Sequence, residues 1–154
     1  NQTGRYELYV ISKEDSGWGE PERVTFEEAT NPRWAPVGEN IAYTTEGCLK
    51  IISYKDRKIK TLVDRQNTLG IYRTESVSWS PDGKIIYFQV QHEQGIGGIW
   101  SIPVEGGEPE LKVISDDPLF KIGLYNFCAD GRRFYFSFRL TESNVWIVDL
   151  LTQE

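Results

Sequence analysis

The chain has 154 residues, one domain's worth, and a net charge of −6. That acidity argues against nucleic acid as a partner, because phosphate binding needs basic density. No apolar run approaches the ~18 residues that a membrane-inserting helix requires, so no membrane insertion is expected.

In chain order, Leu8-Tyr9-Val10-Ile11 and Glu22-Arg23-Val24-Thr25 read as two strands of an incomplete first sheet. Next comes Trp34-Ala35-Pro36-Val37-Gly38-Glu39-Asn40-Ile41-Ala42-Tyr43, an aromatic residue, a tight turn and an apolar strand. A third strand (47–52), a hairpin at Lys55-Asp56-Arg57 and a more polar fourth strand (58–63) follow. The same order then repeats. Trp79-Ser80-Pro81-Asp82-Gly83-Lys84-Ile85-Ile86-Tyr87-Phe88 leads to a third strand at 98–102, punctuation at Glu105-Gly106-Gly107-Glu108 and a fourth strand at 110–114. A last copy, Phe127-Cys128-Ala129-Asp130-Gly131-Arg132-Arg133-Phe134-Tyr135-Phe136, precedes a third strand at 144–148. In Ser80-Pro81-Asp82-Gly83 the proline presets φ for the second turn position, and aspartate and glycine suit the next two. No stretch pairs helical apolar spacing with a capping signal.

The anchors Trp34, Trp79 and Phe127 lie 45 and then 48 residues apart, and Gly38, Gly83 and Gly131 keep the same intervals. Repeats of about 40–50 residues built from short strands read as propeller blades. The expected fold is therefore all-β: a β-propeller segment of a little over three four-stranded antiparallel blades. Its parts are a partial blade at 5–30, blades at 31–65 and 76–115, and a last partial blade at 123–151. The thirteen strands counted this way fall short of four blades, whereas closed propellers typically carry about 4–8. Two completions are expected: the remaining blades of a longer propeller protein, or another copy of the chain. The absence of Met and the start at Asn1 favour the longer protein.

The central copy resembles the repeats of TolB-like, WD-repeat-like β-propellers, with Gly98-Ile99-Trp100-Ser101-Ile102 and Gly106-Gly107-Glu108-Pro109 following at the family's distance. The first copy departs from that pattern at Val37, the last at Phe127 and Ala129. Ser143-Asn144-Val145-Trp146-Ile147-Val148-Asp149-Leu150 is similar to the closing strand of bacterial propellers. The resemblance implies a rigid, non-catalytic platform, C-terminal in a larger bacterial protein, that binds a protein or peptide through its loops. It favours a periplasmic or extracytoplasmic location. The alternatives are the non-catalytic propeller of a larger enzyme, such as a prolyl-oligopeptidase-like peptidase or a receptor-like kinase, and an arc that self-associates into a ring.

No catalytic set assembles from the sequence. His92 is the lone histidine, expected in a loop from Gln89 to Gly97, and no Gly-x-Ser-x-Gly elbow supplies a nucleophile. Cys48 and Cys128 read as free structural thiols, and with one histidine they are too few for zinc. Gly95-Ile96-Gly97-Gly98 precedes a strand rather than the helix that a phosphate cradle needs. The acidic pairs Glu27-Glu28 and Asp116-Asp117 lack the spacing of a calcium loop. No cofactor and no metal are expected. Binding residues are expected on the connections 64–73 and 115–125 and beside them, because loops on a rigid scaffold carry recognition. Arg33, Tyr72, Arg73, Lys121, Tyr125 and Arg139 are the candidates, Arg and Tyr being favoured interface anchors.

Overall fold

The computed structural model describes residues 4–65, 71–92, 97–114 and 120–140, and every regular element in them is a strand. The first sheet pairs β1 (Tyr9–Val10) with β4 (Glu22–Arg23), and a small hairpin of β2 (Lys13–Glu14) and β3 (Gly17–Trp18) stands between them. The second sheet is a four-stranded meander: β5 (Thr30–Trp34), β6 (Asn40–Thr45), β7 (Cys48–Ser53) and β8 (Ile59–Val63). The third repeats it with β9 (Ile71–Trp79), β10 (Ile85–His92), β11 (Gly97–Pro103) and β12 (Glu110–Ile114). The last is β13 (Phe120–Ala129) paired with β14 (Phe134–Leu140). Four-stranded antiparallel sheets in series, none closed into a ring, make this an all-β, propeller-like fold. The strand expected at 144–148 lies outside the described residues.

Local chemistry sets the turns. β6 and β7 are joined by Glu46-Gly47 alone, with φ of 46° and 85°, and Thr45 faces Cys48 across the ladder. Two positive φ values are what a two-residue hairpin needs to match strand twist, and glycine takes the second without steric cost. Irregularities recur at matching places. The β7–β8 ladder shifts between Leu49 and Lys50, and the β11–β12 ladder between Ile99 and Trp100, which hold the same register slots. Such bulges bend the outer strand and increase its twist.

The core lies between sheets. Ala42, Leu49, Ile51 and Val63 of the second sheet meet Val77, Ile86, Phe88 and Val90 of the third, all buried. Leu8, Val24 and Ala29 pack on Ile41, Tyr43 and Ile52 on the other side of the second sheet. Both faces of the middle sheets are thus covered, which explains their apolar runs without alternation. Ile99 and Phe127 begin the junction of the third and last sheets, with Tyr87 edge-on to Phe134 at 5.0 Å.

Two expectations are corrected. The connections 64–73 and 115–125 are shorter than expected, because residues 71–73 already belong to β9 and 120–125 to β13. His92 is likewise not in a loop: it ends β10 opposite Ile71. Inner strands carry polar residues that are buried by close packing, as Thr74 and Ser76 are at 3% and 2% exposure, so they lack the apolar signature of a strand.

Candidate functional site

β5, β9 and β13 each run up to the aromatic–turn motif, so three equivalent turns line up across three successive sheets. In the middle one, the Gly83 N–H donates to the Ser80 carbonyl at 2.9 Å and the Ile85 N–H to Ser80 Oγ at 3.0 Å. Asp82 is held by Ser80 Oγ at 2.6 Å and the Lys84 N–H at 3.1 Å, and these bonds lower its pKa. In the last turn, Asp130 accepts from the Tyr135 hydroxyl (2.7 Å) and from the N–H groups of Arg132 (2.8 Å) and Arg133 (2.7 Å). Those bonds, Tyr135 first, lower the Asp130 pKa, and in return Asp130 raises that of Tyr135. Both aspartates are turn formers, Asp82 through Oδ1 and Asp130 through both carboxylate oxygens.

The turns also touch one another. The Trp79 indole donates to the Arg33 carbonyl of the preceding sheet at 2.9 Å, and the Ala129 N–H donates to Ser78 Oγ at 3.2 Å. Between and above them runs an open groove of about 830 Å³. The second sheet contributes Arg33, Trp34 and Pro36, the third Ser78, Trp79, Ser80 and Pro81, the last Phe127, Cys128, Ala129, Tyr135 and Phe136. Trp34, Tyr135 and Phe136 are exposed, and Arg33 is the one charged residue lining it among the described residues. Both cysteines are free, and Cys128 is exposed within this groove.

A smaller cavity, about 370 Å³, lies beside Arg5, Phe26, Glu28 and the Cys48 end of β7. Its Glu27 accepts from Tyr43 Oη at 2.6 Å and from Lys50 Nζ at 2.8 and 3.0 Å. Burial pushes the Glu27 pKa up, but the bonds from Lys50 and Tyr43 and the Lys50 charge outweigh it and leave the pKa lowered. Burial, then Glu27, raises the pKa of Tyr43, which stays a neutral donor. The Glu27 oxygens are committed to this link between the first two sheets.

Of the six candidate residues, Arg33 lines the groove. Tyr72 and Arg73 lie on β9, Lys121 and Tyr125 on β13, and Arg139 on β14 directly across from Lys121. The other lining residues, among them Trp34, Pro36, Trp79, Pro81, Phe127, Tyr135 and Phe136, were not sequence candidates. Their signal in the sequence is the repeat motif itself, whose aromatics and prolines read as strand and turn.

No family model matches the chain. No curated protein matches it either. Among solved structures, it is similar to a provisionally named TolB from Agrobacterium tumefaciens, with 26% identity and a TM-score of 0.49 over 60% of this chain and 33% of that one. It is also similar to a provisionally named 6-phosphogluconolactonase from Bacteroides uniformis, with 15% identity and a TM-score of 0.45 over 90% of this chain and 48% of that one. The chain spans about a third and about a half of those two proteins.

Proposed function

We propose that the chain is a binding module with no catalysis of its own, which takes a protein or peptide segment along the groove at the ends of its inner strands. The observation that carries this reading is the groove's construction. Equivalent residues of three repeats form one continuous aromatic and proline surface beside Arg33. Aromatic rings beside an Arg are the usual composition of binding hot spots, and rigid strand ends hold them without an ordering cost on binding. The groove's two serines support the same reading. Ser80 Oγ closes its own turn and Ser78 Oγ accepts from the next sheet.

A displayed peptide library panned on the full chain tests the proposal. Peptides recovered should lose affinity on Arg33→Glu and Tyr135→Ala and keep it on Trp18→Ala, which changes an exposed residue of the β2–β3 hairpin. Equal binding by all these variants would place recognition elsewhere and overturn the reading.

A further inference from the structure

The two tryptophans at matching turns differ in a way that points to an absent neighbour. Trp79 is 7% exposed and its indole N–H reaches the inner strand of the preceding sheet, at the Arg33 carbonyl. Trp34 holds the same slot but is 46% exposed, and its indole N–H makes only a 3.3 Å bond to Gly38 of its own turn. The sheet preceding Trp34 is β1–β4, whose two strands correspond to strands three and four of a blade. β7 and β11 are flanked on both sides, whereas β1 pairs only with β4 among the described residues. The Val24 N–H donates to the Leu8 carbonyl, so by antiparallel alternation the Tyr9 N–H faces away from β4, toward that open edge.

We infer that the β1 edge and Trp34 together form the docking site for a strand-one/strand-two β-hairpin of a further repeat. The hairpin adds to the sheet beside β1 by backbone pairing, and its first strand supplies a carbonyl to the Trp34 indole as Arg33 does to Trp79. The site continues an interface already present, since Leu8 and Val24 pack on Ile41 and Tyr43. Among the described residues of a second copy, two of the three such hairpins are already engaged. β5–β6 and β9–β10 are held by their own outer strands, and β13–β14 is followed by residues 144–148, which read as its own third strand.

The test joins the chain's own residues 71–92, a complete hairpin of this type, ahead of Asn1 through a flexible linker, which makes docking intramolecular. Hydrogen exchange should slow at Tyr9, and the same hairpin added as a free labelled peptide should compete. Tyr9→Pro removes the edge N–H and leaves the β4-facing bonds, so it should abolish docking. Trp34→Phe, which keeps an aromatic ring but loses the donor, should weaken the peptide about fivefold. Unchanged exchange at Tyr9 in the joined form would overturn the inference, as would peptide binding indifferent to both substitutions. A chain that dimerises unaided, with the dimer dissolved by Tyr9→Pro, would also overturn it, because a second copy would then be the occupant.

Discussion

Glu27, Tyr43 and Lys50 form a polar side-chain link between the first two sheets, separate from the more exposed one that Tyr54 and Arg57 make to Glu22 of β4. Tyr43 has no exposed surface, so its hydroxyl depends on Glu27 for a partner. Glu27→Ala should cost about 1–3 kcal/mol, the usual penalty for an orphaned buried donor. Adding Tyr43→Phe should recover part of it, and urea midpoints of both singles and the double would reveal the coupling. The same carboxylate makes a pH prediction. Its folded pKa lies below the unfolded value of about 4.3. Its contribution is therefore complete above that value and is lost as pH falls through the folded pKa. Asp82 and Asp130 are lowered too, so the test is a difference. Between about pH 6 and 3, Glu27→Gln should lose less stability than the parent chain.

At the scale of elements, repeat equivalence converts into graded costs. Phe88 and Phe136 stand at matching positions of the repeat motif, but Phe88 is fully buried between two four-stranded sheets and Phe136 is 39% exposed. Phe88→Ala should cost about 3–5 kcal/mol and Phe136→Ala roughly 1–2, read from chemical denaturation. The turn glycines grade similarly. Gly38 and Gly131 have φ of 81° and 85°, so alanine is strained at both. A Cβ at Gly38 meets nothing within 4 Å, whereas at Gly131 it would lie 3.2 Å from the Pro81 ring of the preceding turn. Gly131→Ala should therefore be the costlier by about 1 kcal/mol. These contrasts also explain what the sequence made legible. Second and third strands were readable because their residues pack apolar faces between sheets or turn at Gly and Asp, and the mostly exposed fourth strands by their mixed polar and apolar residues. The β2–β3 hairpin was not, since Lys13, Glu14, Gly17 and Trp18 are all exposed and no burial pattern marks them. The early part of β9 is hard to read for the opposite reason. At Thr74 and Ser76 small polar side chains are buried by crowding rather than by hydrophobicity. The groove was half legible: Arg33 was expected, but the turn aromatics around it pass for core until neighbouring sheets are seen.

For the whole molecule, serial stacking means that each sheet is stabilised chiefly by its neighbours, as in repeat arrays where nearest-neighbour interfaces dominate. The two middle sheets bury Ile86, Phe88, Val90, Leu49 and Val63 against each other. The first sheet has only two-residue strands in β1 and β4, and Tyr9, Ile11 and Phe26 are about half or more exposed around it. Opening that sheet forfeits one interface, whereas opening a middle sheet forfeits two. Amide exchange should accordingly fall into tiers: β6, β7, β10 and β11 should exchange only on global unfolding, and Val10 and Val24 through a cheaper local opening. Val77→Ala, which thins the central interface, should lower the first tier and leave the second nearly unchanged. If Val10 and Val24 tracked β10 through that substitution, the arc would be a single cooperative body, and additive stacking would be the wrong description of it.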